Sequence, residues 1–195
     1  MWKDILARIN VVDLVMVGIV IRSIYIGFAE GFVVEAFKLL GALVATFVVL
    51  HYFYSFALLV KEAMAMPVTT LELFSFIFLW MLVTTMFSIV RSGWILGFKV
   101  EKKTILLRLL GLFLSVPRAV LVCGLTFVLF FLSGNKELEM TTRKSLSAFY
   151  ILTVSSDMYG AAYDQWIARF FPEEPLNVRL FEIMSTKGKD DKKKQ

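Results

Sequence analysis

Three charges fall where the surrounding sequence is hydrocarbon-like. Arg22 interrupts the apolar run Val11 to Phe28, Glu35 stands shortly before a long run free of formal charge, and Arg118 follows Pro117 inside the last apolar stretch. Burying such a charge in a membrane costs about 2.5–3.5 kcal/mol even on insertion scales, so each is expected to find a partner. The chemistry this predicts is an intramembrane ion pair, Glu35 with Arg22 or with Arg118. The pair would pin the helices together or gate a polar path. In the competing reading Glu35 opens its helix at an interface and both arginines extend toward headgroups.

Other reactive types are sparse. The single cysteine, Cys123, lies in an apolar run and the single histidine, His51, sits among aromatic residues. One cysteine cannot close a disulfide within the chain, and one Cys with one His cannot supply a structural or catalytic zinc site. A serine-protease mechanism would need His51, but His51-Tyr-Phe-Tyr54 carries no nucleophile motif. No paired carboxylates, metal triad or nucleophile elbow is found, so no enzyme and no cofactor is expected. Cys123 reads as a small packing residue and His51 as an interfacial side chain.

The elements that must position these residues are membrane helices. The chain is 58% hydrophobic and 19% charged over 195 residues, more apolar material than an ordinary soluble fold can hide. Leu39 to Val60 and Leu73 to Val90 carry no formal charge, and each can cross a hydrocarbon core of about 30 Å. Val11 to Phe28 is a third span, running through Gly27-Phe-Ala-Glu-Gly31 into the next helix as a tight hairpin. Lys3 and Arg8 precede it as in a signal peptide, but no small-x-small cleavage pattern follows, so it reads as a retained helix. A fourth span starts amphipathically at Lys103 and becomes wholly apolar from Ala119 to Leu132; Pro117 predicts a kink or a re-entrant start.

Small residues mark two helix faces. Gly111, Ser115, Ala119 and Cys123 recur every four positions, and Gly27, Gly31 and Glu35 form a second stripe ending in a carboxylate. Close helix packing is the default use of such spacing, and a pore lining is the alternative.

The net charge of +5 gathers in Lys99 to Arg108 and in the closing run Lys187 to Lys194. Such flanking clusters suit lipid headgroups and topology rather than nucleic acid, which needs a basic face interleaved with reading groups. After Ser133 the sequence turns polar, then becomes helix-compatible from about Thr142 to Phe171. Tyr159, Ala162, Tyr163, Trp166, Ile167 and Phe170 share one face, with Asp157, Asp164 and Arg169 away from it. The expected architecture is all-α and polytopic: a four-helix transmembrane domain over 1–133, an amphipathic helical segment over 134–175 on the membrane surface or the bundle, and a charged tail over 176–195 without regular structure.

Asn10-Val-Val-Asp13, Gly31-Phe-Val-Val-Glu35-Ala-Phe-Lys-Leu-Leu-Gly41 and His51-Tyr-Phe together resemble the opening hairpin of the CvpA (colicin V production) family. Arg108-Leu-Leu-Gly111 followed by Pro117-Arg118-Ala119 is similar to that family's fourth-helix pattern, and Arg143-Lys-Ser145-Leu with Phe171-Pro172 is similar to its tail. The resemblance runs from about Asn10 to Pro172. Relatives often carry arginine where this chain has Glu30 and Val34, and an acidic residue at Leu107.

The resemblance implies a bacterial inner-membrane protein that supports production or export of a colicin V-like bacteriocin and envelope homeostasis, without enzymatic activity. The intramembrane charges, the two small-residue stripes and these motifs together make Arg22, Gly27, Gly31, Glu35, Arg108, Gly111 and Arg118 the candidate functional positions. The expected partners are the lipid bilayer, a second copy of the chain and an export or envelope protein. A small oligomeric channel or transport component is the alternative, motivated by the intramembrane charges and the Gly111 to Cys123 stripe. Four spans put Gly31 and the Lys99 to Arg108 connection on one side, and the compact basic connection favours the cytoplasm for that side. Both termini are then extracytoplasmic.

Overall fold

The structure, a computed structural model, describes residues 10–64, 66–97, 104–167, 169 and 176–185. Four long helices carry the chain: α1 (Val11–Glu30), α2 (Phe32–Ala63), α3 (Val68–Gly97) and α4 (Ile105–Leu132). All four are long and apolar enough to cross a membrane, and no strand occurs among the described residues. Among the described residues three shorter helices follow, α5 (Lys136–Lys144), α6 (Leu146–Ala162) and α7 (Val178–Ser185), with a π-helical turn over Tyr163–Ile167 after α6.

Helix boundaries follow local chemistry. Asn10 precedes α1, and the Asp13 carboxylate accepts the Asn10 N–H at 3.1 Å, satisfying a donor at the helix start. Gly31 alone separates α1 from α2; its φ of +85° lies where a side chain would be strained. Pro67 sits immediately before α3, where its missing N–H costs nothing. Inside α4, Pro117 has no N–H to give the Phe113 carbonyl, yet the helix runs unbroken from Ile105 to Leu132. The kink or re-entrant start expected there does not interrupt the helix, which is already formed three turns before the proline.

The helices pack in the order α1, α4, α2, α3. α1 packs mainly on α4 and α3 mainly on α2, while α4 also lies along α2. The anticipated tight α1–α2 hairpin is therefore only a tight turn: beyond Gly31 the two helices diverge and α4 occupies the space between them. One apolar core joins Leu50, Phe53, Phe76 and Val128 with Tyr159 and Leu180. A second joins Val12, Met16, Cys123, Phe127 and Ala148. Outward faces are apolar too, for example Leu14, Ile21, Phe74, Met81, Ile89 and Phe113, as lipid-facing surfaces are.

Beyond Ser133 the chain differs from the expected single helix. Asn135 caps α5, accepting from the Glu137 and Leu138 N–H groups, and Ser145 breaks the run, its Oγ accepting the Ala148 N–H at 3.2 Å to start α6. Tyr159 is buried against the bundle while Asp157, Asp164 and Arg169 are exposed. Phe170 and the side chains of Trp166 and Ile167 lie outside the described residues, as do residues 98–103 and 170–175, Lys3, Arg8 and the lysine run after 185. The segment expected to lack structure from 176 begins with α7, because Leu180 is fully buried in the core and Ile183 packs beside it.

Candidate functional site

The two small-residue stripes meet each other. A Cβ added to Gly27 would lie 2.6 Å from Ser115 Cβ, and one added to Gly111 would lie 2.5 Å from the Gly27 carbonyl oxygen and 2.8 Å from the Gly31 carbonyl carbon. Backbone thus approaches backbone where α1, the Gly31 turn and α4 cross. Further along, Cys123 is buried against the Met16 region of α1, and Ala119, one turn before it, is buried too. Arg108 in the first turn of α4 lies over the Phe28 ring, 5.9 Å from its centroid, closing this end.

That close approach sets the ion pair. Glu35, one turn into α2, is 0% exposed, and the Arg118 Nε donates to its Oε1 in a salt bridge. The Arg118 side chain is 14% exposed, and its Nη2 also reaches the Ser23 carbonyl at 3.4 Å. One arginine on α4 therefore ties α2 and α1 together. Of the two partners considered for Glu35, Arg118 is the one in place. Arg22 is exposed on α1, since the divergence of α1 from α2 after Gly31 turns it away from Glu35.

Two further polar joints escaped the sequence reading. Asp13 accepts from Ser145 Oγ at 2.5 Å, from Ser147 Oγ, and from the Ser147 N–H at 3.3 Å, while Asn10 Nδ2 donates to the Thr141 carbonyl at 3.0 Å. These bonds fasten the α5–α6 joint to the start of α1. At the α2 side, His51 Nδ1 and Tyr159 Oη are 2.9 Å apart, the Asn177 N–H donates to Tyr159 Oη at 3.2 Å, and Asn177 Nδ2 donates to the Leu50 carbonyl at 2.7 Å. His51 is thus enclosed, stacked on Phe47 and edge-on to Tyr52, rather than presented at an interface as expected. Burial pushes the Tyr159 hydroxyl above its ordinary range, with Tyr163 and Tyr52 adding to the effect. Glu72, 1% exposed near the start of α3, takes Arg179 Nε at 3.2 Å and so holds α7.

Each joint uses a residue that the sequence displayed without its partner. Asp13 and Ser145 both fell in recognisable motifs, but nothing in their spacing connected them. Leu180 and Ile183, three apart, were the available signal for α7, and the neighbouring lysine run obscured it. Among the described residues, no three His, Cys, Asp or Glu side chains group so as to hold a metal.

The fold and this site define a four-helix, multi-pass membrane protein whose spanning helices are locked by small-residue packing and a buried ion pair. The profile of the family described as Colicin V production protein matches residues 12–156, from the start of α1 into α6, and the chain belongs to that family. The matched region contains both stripes, Glu35, Arg118 and the Asp13–Ser145 joint. No curated protein and no solved structure matches the chain.

Proposed function

We propose that this protein is a non-enzymatic component of the bacterial inner membrane that supports production or export of a colicin V-like bacteriocin and envelope homeostasis. The supporting observation is the Glu35–Arg118 pair: the most deeply buried charges among the candidate positions neutralise one another and join three helices, a structural use rather than a catalytic one. The stripe that motivated a channel is occupied by α1, which favours the supporting role over a pore.

Asn10, just ahead of the first span, bonds Thr141, beyond the fourth, so these two positions lie on one side of the bundle. Placing the Gly31 turn and the Arg91 to Arg108 region in the cytoplasm follows the positive-inside rule and leaves both termini extracytoplasmic. Because the small-residue faces are consumed within the chain, association with a second copy or with an export or envelope protein uses other surfaces.

The test is complementation. In a colicin V-producing strain lacking its own member of this family, the chain should restore secreted bacteriocin activity, and Arg118→Leu should not at matched membrane level. Failure of the native chain to restore activity while correctly inserted would sink the reading.

A further inference from the structure

A cleft of about 170 Å³ opens between α2, α3 and α4, outside the α1–α4 contact. Its walls change character along its length. Lys38, Arg91 and Arg118 line one end; Ala45, Trp80 and Leu125 line the other. The helix register places these ends: Phe37 meets Trp94 and Gly41 meets Phe87, so Lys38 and Arg91 lie at one level, a turn from Glu35 and its partner Arg118. Ala45 and Leu125 each lie seven residues deeper, about 10 Å at 1.5 Å per residue. The cleft is therefore basic at the level of the Gly31 end and apolar toward the middle of the bundle.

Charge at the basic end is only partly compensated. Glu30 sits 2.5 Å from Lys38 and Glu35 takes Arg118, but among the described residues no carboxylate pairs with Arg91, and Arg118 Nη1 carries no hydrogen bond. Three cations thus face two carboxylates. On the open side, Thr84 and Ser88 of α3 are exposed, and Thr84 Oγ1 satisfies itself on the Trp80 carbonyl at 2.7 Å, as a hydroxyl at a lipid-facing surface must.

We propose that this cleft is a binding site for one anionic phospholipid, with its phosphate between Arg91, Arg118 and Lys38 and the start of an acyl chain along Ala42, Ala45 and Phe87. A free anion would meet the cations but leave the apolar end empty, whereas a lipid supplies both chemistries. A volume near 170 Å³ suits a benzene-sized group rather than a whole lipid, so the remaining chain leaves through the open side into the bilayer. A lipid so placed bridges α3, otherwise held mainly by α2, to α4.

The test uses the full chain purified in detergent and titrated with phosphatidylglycerol, phosphatidylcholine, diacylglycerol and inorganic phosphate, read by native mass spectrometry and thermal unfolding. Phosphatidylglycerol should bind one-to-one and raise the unfolding temperature; the zwitterionic and phosphate-free lipids should do so far less. Losing one charge-assisted bond in Arg91→Gln should weaken phosphatidylglycerol binding about tenfold. Ala42→Leu, which fills the cleft without touching a charge, should weaken it as well, so a folding failure of one variant leaves the other to decide. Equal binding of phosphatidylcholine, or undiminished phosphatidylglycerol binding by a folded variant, overturns the proposal. Equal stabilisation by inorganic phosphate overturns the lipid in favour of a free anion.

Discussion

The α-carbon of Gly111 on α4 faces the Gly27 carbonyl of α1 so closely that a methyl group on Gly111 would come within 2.5 Å of that oxygen. Backbone cannot swing aside as a side-chain tip can, so Gly111→Ala must push α4 from α1 and disturb the Arg118 reach to Ser23. Overpacking of this kind costs about 1–3 kcal/mol. Gly18 and Gly93 are internal controls, because a methyl there meets nothing within 4 Å. Thermal unfolding in detergent should show Gly111→Ala and Gly27→Ala destabilised and the two controls unchanged or slightly stabilised. Equal effects at all four positions would contradict the packing described.

The Glu35–Arg118 pair predicts strong non-additivity. Removing one partner leaves a buried charge alone, at a cost of about 3–5 kcal/mol, whereas replacing both with apolar residues of similar size recovers much of the loss. Arg118→Leu and Glu35→Leu should each destabilise severely, and the double variant should be more stable than either. Glu35→Gln, which keeps an acceptor for Nε, should fall between native and Glu35→Leu. A double variant as unstable as the sum of the singles would show that the two side chains do not act as a unit.

How far the sequence revealed this arrangement depends on how far apart the partners lie. The four spans were legible because an apolar run longer than about 18 residues has few other uses. The stripes were legible as faces, since period-four spacing is local, and their mutual contact followed from neither alone. Glu35 was recognisable as a charge needing a partner, but choosing Arg118 over Arg22 required knowing that α4 wedges between α1 and α2. Asp13 with Ser145, His51 with Tyr159 and Glu72 with Arg179 are separated by 132, 108 and 107 residues, and no periodicity encodes such distances. His51 was misplaced for the same reason: an aromatic neighbourhood looks alike at an interface and in a core.

Asp13 gathers donors from Asn10, Ser145 and Ser147, so it should govern whether α6 stays docked. Asp13→Ala removes the acceptor of the whole cluster and leaves the Ser147 N–H without it, a loss of about 1–3 kcal/mol. Hydrogen exchange should accelerate across α6 while α2 and α3 stay protected. Ser147→Ala, which spares the Ser145 bond, should have a smaller effect of the same kind. Uniform exchange across all helices would place Asp13 in global stability instead.

Tyr159 predicts an alkaline limit to the same docking. Its ordinary value is 10.0 and burial raises it, so the folded protein favours the neutral phenol more than the unfolded chain does. The stabilisation is therefore complete below about pH 10 and lost as pH climbs through the raised folded value. Once ionised, the Tyr159 oxygen has no proton to share with His51, whichever of the two donates in the neutral pair, and its charge is trapped beside Phe47. Tyr159→Phe should remove this pH dependence while lowering stability at neutral pH by about 1–3 kcal/mol, because the Asn177 N–H loses its acceptor. Unfolding temperatures measured from neutral to strongly alkaline pH should fall more steeply for the native chain than for Tyr159→Phe. Parallel curves would mean that other tyrosines or lysines set the alkaline limit and that the Tyr159 hydroxyl is not the titrating link between α2, α6 and α7.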